Sequence, residues 1–145
     1  MHRQIQLRDI MQKEIFTVFP EDFVERAAKL LKSNEFHHLP VVDEEREVVG
    51  IVSTSDLDRI SYGHTLFKMP DKDKYDQALH RSLLVQDVMS TRVFTMAPTD
   101  SIEAAYQQFR RGQFRAVPVV DGDRLVGIVT PLDLVEALLN HASTL

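Results

Sequence analysis

The sequence predicts an α/β (α+β) fold assembled from two copies of one β-α-β-β-α unit. Three observations predict it. The first half of the chain aligns on the second half, short β-branched and aromatic runs alternate with helix-period segments, and a turn signal separates the last two strands of each copy.

The repeat is direct. Residues Leu7 to Asp43 align without a gap on Val85 to Asp121, sharing among others Asp9/Asp87, Met11/Met89, Phe16/Phe94, Pro20/Pro98, Glu25/Glu103, Phe36/Phe114 and the run Pro40-Val41-Val42-Asp43 against Pro118-Val119-Val120-Asp121. After a one-residue slip, Val49-Gly50-Ile51-Val52 recurs as Val126-Gly127-Ile128-Val129, and Asp56-Leu57 as Asp133-Leu134; in all, 19 of 50 aligned pairs are identical. The copies are expected at 1–60 and 85–145, joined by a connector at 61–84. At about 55 residues, each copy is too small to be stable alone, so the two are expected to need each other.

Each element has its own cause. Ile15-Phe16-Thr17-Val18-Phe19 and Val93-Phe94-Thr95-Met96 read as first strands ending near a Pro that cannot donate to a ladder. Asp22 and Asp100 stand three residues before Glu25 and Glu103, a capping-box spacing that predicts a helix start. The helices then repeat apolar residues at i, i+3, i+4 and i+7: Val24, Ala27, Ala28 and Leu31, and Ile102, Ala105, Tyr106 and Phe109. Two further strands follow around Leu39 to Val42 and Val48 to Val52, with Asp121-Gly122 as the hairpin signal in the second copy. A last helix starts near Thr54 or Pro131; in the second copy Leu134, Leu138 and Leu139 form a stripe expected to cover the sheet. Pro70-Asp71-Lys72-Asp73-Lys74 reads as an exposed loop leading into a short helix around Tyr75 to Arg81.

Composition bounds the chemistry. The 145 residues include no Cys, which excludes disulfides, thiolate metal sites, iron–sulfur clusters and Cys nucleophiles. Lys and Arg number 17 against 22 Asp and Glu, a formal net charge of −5, and no stretch concentrates basic residues as a phosphate-backbone footprint requires. Nucleic acid is therefore not an expected partner. Uncharged apolar runs such as Leu83 to Val85 fall far short of the roughly 20 residues that cross a bilayer, so no membrane partner is expected either. Met1-His2-Arg3-Gln4-Ile5-Gln6 is followed by no apolar run or small-residue cleavage site, and a cytoplasmic location is expected.

A Met-bearing segment before strand one, the x-x-h-P-V-V-D of strand two and the G-h-h-[ST]-x-x-D after strand three, all present twice, resemble the CBS domain, named for cystathionine beta-synthase. Two copies look like a CBS pair, or Bateman module, and the resemblance covers about 110 of the 145 residues. It implies copies packed sheet to sheet about a pseudo-two-fold axis, a homodimer, and a regulatory module that binds adenine nucleotides or S-adenosylmethionine without an obligatory cofactor. The effector that reads the ligand is expected on another protein.

Gly50-Ile51-Val52-Ser53-Thr54-Ser55-Asp56 and Gly127-Ile128-Val129-Thr130-Pro131-Leu132-Asp133 carry the sharpest site hypothesis. A hydroxyl at a helix start can meet a phosphate or ribose oxygen, and an Asp can accept from ribose hydroxyls. The same spacing is an ordinary helix cap, with Pro131 at the favoured first position, and the two roles are compatible. By the family's pattern each ligand lies between the copies. The resemblance then groups Thr130, Asp133 and Ile128 with the Met11 to Lys13 backbone and Phe36, and Ser53, Ser55, Asp56 and Ile51 with Met89, Thr91 and Phe114. Phe36 and Phe114 read equally well as adenine walls or as core. His37, His38 and Arg115 occupy positions where the family places phosphate-binding cations, or else line a solvated strand edge. A His facing phosphate would make binding stronger at mildly acidic pH. Leu132 in place of Ser55, and Ala116 in place of His38, make the Asp56 segment the stronger expected phosphate site.

Two other classes compete with this reading. One is a dimerisation or docking module without nucleotide, which nothing in the sequence excludes. The other is an enzyme, but the chain has no H-E-x-x-H, no Gly-rich phosphate loop and no G-x-S-x-G, and adjacent His37 and His38 on a strand point to opposite faces.

Overall fold

A computed structural model describes residues 4–34, 36–65, 72–112 and 114–143. Among these the order is α1 (Leu7–Ile10), α2 (Val24–Ser33), β1 (His38–Val42), β2 (Val48–Ser53), α3 (Thr54–Thr65), α4 (Lys72–Ser82), α5 (Val85–Val88), α6 (Ile102–Arg110), β3 (Val117–Asp121), β4 (Arg124–Val129) and α7 (Pro131–Ser143). The mixed α/β architecture is the expected one. The chain packs as two compact units: Phe16–Val93, and the residues before Phe16 together with those from Phe94 onward.

In the 16–93 unit, β1 pairs antiparallel with β2, Leu39 opposite Val52 and Val41 opposite Gly50, with an irregularity between Val41 and Val42. Its core gathers Val18, Ala27, Leu31, Leu39, Val41, Val52 and Val85. In the other unit β3 pairs with β4, Val117 opposite Val129, over a core of Leu7, Met96, Ile102, Ala105, Val117, Val119, Val129 and Leu134. The Asp-Gly signal holds: Asp121 pairs with Arg124, and Gly122 takes φ 67°, a left-handed conformation that favours glycine.

Leu7 and Val85, both fully buried, show an exchange of segments between the repeats. The opening residues of the first copy close the core of the second: Leu7 N–H donates to the Asp100 carbonyl at 2.8 Å, Arg8 N–H to Pro98 at 2.9 Å, and Ile102 N–H to Ile5 at 3.1 Å. The end of the connector and the opening residues of the second copy close the core of the first: Val85 N–H donates to Asp22 at 2.8 Å, Gln86 N–H to Pro20 at 3.0 Å, and Val24 N–H to Leu83 at 2.8 Å. Asp9 and Asp87 cap these short helices, accepting from Gln6 N–H at 3.0 Å and Leu84 N–H at 2.9 Å.

Several local expectations are corrected. The first strand of each copy shrinks to one parallel bridge, Val18 to Val41 and Met96 to Val119. Val18 N–H donates to Pro40 and Val42 N–H to Val18; extending this ladder would require N–H groups at positions 20 and 40, and both are Pro. Pro98 and Pro118 cut the second copy in the same way. Asp22 and Asp100 do not cap α2 and α6. Their carboxylates accept from Phe19 N–H and Ala97 N–H, both at 2.8 Å, and so hold the preceding turns. The N-cap of α6 is Ser101, accepting from Ala104 N–H at 3.1 Å, while the N-cap of α2 is Phe23, whose side chain offers no acceptor.

Tyr106 is exposed, because Ile102, Ala105 and Phe109 already fill the inner face and its phenol keeps its water. On α7 only Leu134 of the expected stripe is buried; Leu138 and Leu139, further along the helix, are exposed. The helix expected around Tyr75 to Arg81 runs over Lys72–Ser82, and Pro70-Asp71 lies outside the described residues.

Candidate functional site

The end of β2 and the start of α3 form a reciprocal cap. Asp56 Oδ2 accepts from Ser53 N–H at 2.8 Å and from Ser53 Oγ–H at 3.0 Å, and Ser53 Oγ accepts from Asp56 N–H at 3.2 Å. The capping reading of this motif is therefore correct, and one carboxylate oxygen suffices for it. Asp56 is only 8% exposed, and its other oxygen, Oδ1, meets the Arg59 guanidinium, whose side chain is 73% exposed.

The 84–93 segment runs along the outer edge of β2. Ile51 N–H donates to Ser90 at 3.0 Å and Ser90 N–H to Ile51 at 2.9 Å. A Cβ on Gly50 would stand 2.5 Å from the Met89 sulphur, so the glycine is the space in which Met89 lies. Sequence-predicted Ile51, Ser53, Ser55, Asp56, Met89 and Thr91 thus come from two adjoining strips of one unit. Thr54 N–H donates to the His37 carbonyl at 3.0 Å and His38 is opposite Ser53, which sets both His residues beside the same turn. His37 is exposed and His38 half-buried.

The second unit repeats the construction. Asp133, 7% exposed, accepts through Oδ2 from Thr130 N–H at 2.8 Å and Thr130 Oγ1–H at 3.1 Å. Its Oδ1 accepts from Gln12 Nε2 at 3.1 Å. Gln12 and Ile128 exchange backbone hydrogen bonds of 2.9 and 3.1 Å, and Met11 fills the space that a Gly127 side chain would occupy. Lys13 follows on the exposed side, and Arg115, also exposed, precedes β3.

Phe36 stacks on Phe16 with ring centroids 5.4 Å apart, and Phe114 stacks on Phe94 at the same separation. Each is half-buried and packs against the core of its own unit. The sequence reading missed Arg59, the Gln12 side chain and the stacking partners Phe16 and Phe94. Arg59 had a signal: on a helix, the residue three after a buried Asp faces the same side. Gln12 had none, since its partner is 121 positions away.

Among the described residues, Asp43, Glu45 and Glu47 bring carboxylate oxygens together. Asp43 Oδ1 accepts from Glu45 N–H and Glu47 N–H, each at 2.9 Å, so this cluster shapes the β1–β2 turn. No helix among the described residues is long and apolar enough to cross a membrane.

Both capped turns, each with its glycine filled by a Met from a distant segment, sit inside the residues 7–63 and 85–140 that match the CBS domain. The chain belongs to the CBS domain family. Its paired copies are similar to an uncharacterised protein of Methanocaldococcus jannaschii, 29% identical over 92% of this chain and 90% of that protein. Among solved structures, CBSX2 in complex with AMP is 26% identical with a TM-score of 0.77, covering 94% of this chain and 98% of that one. The CBS domain pair of protein MJ0100, in complex with 5'-methylthioadenosine and S-adenosyl-L-methionine, is 26% identical with a TM-score of 0.71, covering 92% and 99%. Other relatives are much longer: the CBS pair spans only 22% of an L-aspartate semialdehyde sulfurtransferase of Methanosarcina acetivorans.

Proposed function

We propose that this CBS pair is a regulatory module that binds adenosyl ligands (AMP, ADP, ATP or S-adenosylmethionine) and passes their occupancy to an effector protein. One observation carries the reading. In each unit a nearly buried Asp caps its helix with Oδ2, while among the described residues Oδ1 meets one side chain, Arg59 or Gln12, leaving an acceptor to which a ribose hydroxyl can donate. The complexes of CBSX2 with AMP and of the MJ0100 pair with two adenosyl compounds support the ligand class. In this reading Ser53, Ser55 and Asp56 hold one ligand with Ile51, Met89 and Thr91 beside them, and Thr130 and Asp133 hold another beside Ile128, Met11 and Lys13. Phe36 and Phe114 offer aromatic faces to the base, and His37, His38 and Arg115 offer donors to phosphate. The ligand is an effector rather than an obligatory cofactor, and the module acts in the cytoplasm.

A homodimer completes the proposal. Leu132, Val135, Leu138 and Leu139 make an exposed apolar face on α7, whereas the positions equivalent to the first two on α3 are Ser55 and Asp58. The unit therefore folds with polar residues there, and the apolar face favours a partner surface. The same face supports the second reading, a docking module without nucleotide.

Thermal unfolding against AMP, ADP, ATP and S-adenosylmethionine, with sedimentation equilibrium, separates the two. A ligand at 100 times its Kd adds about 2.7 kcal/mol, a shift of several degrees. A shift with at least one ligand supports the sensor; a stable dimer with no shift from any of them supports docking alone.

A further inference from the structure

We propose that Arg59 and Glu136 sort adenosyl ligands by the charge of their tails: phosphorylated adenosines go to the Asp56 site, and sulfonium-bearing adenosyl compounds to the Asp133 site. The inference rests on the adenosyl reading of both sites and adds which ligand each one takes.

The duplication supplies its own control. The two capped turns agree closely, with Asp Oδ2 at 2.8 Å from the main-chain N–H and at 3.0 or 3.1 Å from the hydroxyl. What differs is the charge on the next helical turn. Arg59 is bonded to Asp56 Oδ1 and largely exposed, so a ligand bound at that oxygen has a guanidinium within reach. A planar, permanently charged fork suits a phosphate.

The residue equivalent to Arg59 in the second copy is Glu136, which is exposed. A group three positions after Asp133 on α7 shares its face, so a tail leaving Asp133 meets a second carboxylate. The Oδ1 partner there is the neutral Gln12 amide. Lys13 and Arg115, the nearby exposed cations of that unit, are not among the groups that pair with Asp133. Ser55, exposed at the first site, adds a hydroxyl donor where the second site has Leu132. The Arg59/Glu136 and Ser55/Leu132 differences favour an anion at Asp56 and disfavour it at Asp133, while Lys13, where the first site has Thr91, works the other way.

Amide NMR of the full chain reads both sites in one molecule. Titration with AMP is expected to saturate the Ser53 to Arg59 amides at concentrations about tenfold lower than the Thr130 to Glu136 amides, and S-adenosylmethionine is expected to reverse the order. Arg59→Gln should weaken AMP binding at the first site about tenfold while changing adenosine binding less than twofold; Glu136→Gln should remove the S-adenosylmethionine preference. Both positions are exposed, and unchanged spectra outside their own turns will show that each variant folds. If Arg59→Gln weakens AMP and adenosine equally, Arg59 only orders Asp56 and the sorting is wrong. If AMP and S-adenosylmethionine rank the two sites identically, the sorting is also wrong while the adenosyl reading stands. If none of the three compounds moves any amide, the adenosyl reading itself fails.

Discussion

Leu7→Ala tests the exchange of segments, because the side chain removed lies 87 or more positions from nearly all the core it completes. Leu7 is fully buried among Met96, Ile102, Ala105, Val117, Val119, Val129 and Leu134. Truncating a buried Leu costs about 2–5 kcal/mol, according to how far the cavity collapses. Val117, Val119 and Val129 are held in a hydrogen-bonded hairpin and can move little, while Met96 can partly follow, so a value of about 3 kcal/mol is expected. The backbone bonds from Leu7 N–H to Asp100 and from Arg8 N–H to Pro98 survive the substitution, so the loss is one of packing. For a chain of this size that lowers the Tm by roughly 6–12 °C.

The location of the effect matters more than its size. Hydrogen exchange should quicken at Val117, Val119 and Val129 by up to roughly a hundredfold, while Val41 and Val52 in the 16–93 unit stay protected. Val85→Ala should produce the mirror image. Faster exchange in β1 and β2 on Leu7→Ala, with β3 and β4 unmoved, would refute the assignment of the first segment to the second core.

Other predictions follow from close contacts and caps. Gly127→Ala drives a methyl group into Met11 and should cost about 1–3 kcal/mol, with much of the loss restored by Met11→Ala; additive losses in a double-mutant cycle would show that the two do not meet. Ser101→Ala removes the side-chain N-cap acceptor of α6 and should cost about 1 kcal/mol in chemical denaturation. Phe23→Ser should act in the opposite direction, giving α2 an N-cap in place of an exposed ring; a loss of stability would show that the ring packs where it stands.

The parts of the fold legible in the sequence are those set by local chemistry. Asp121-Gly122 makes its hairpin because a glycine at φ 67° needs no neighbour, and Val24, Ala27 and Leu31 face inward because helical spacing alone puts them on one side. The first strand was misread because its extension depends on two prolines on different segments, Pro20 and Pro40, and only the first adjoins the apolar run. Asp22 and Asp100 were misread because the same spacing suits a cap on the turn before the helix as well as on the helix.

At the candidate site, Ser53-x-x-Asp56 and Thr130-x-x-Asp133 were legible as caps, and the duplicated glycine was legible as part of a motif. Its physical reason, a Met from a distant segment lying against β2 or β4, required long-range packing that no local pattern encodes. The α7 leucines show the opposite failure: their spacing fits a buried stripe, but burial ends with Asp133 and Leu134 on the first turn, and Leu138, on the same side one turn later, is exposed.

Calorimetric titration of AMP into the parent chain and into the Asp56→Ala/Asp133→Ala double variant tests the central claim most directly, with circular dichroism to show that both are folded. The account predicts measurable binding to the parent and none to a folded double variant, because the acceptors for the ribose are gone while the loss of two caps costs only about 0.5–2 kcal/mol each. Undiminished binding to the double variant would contradict it.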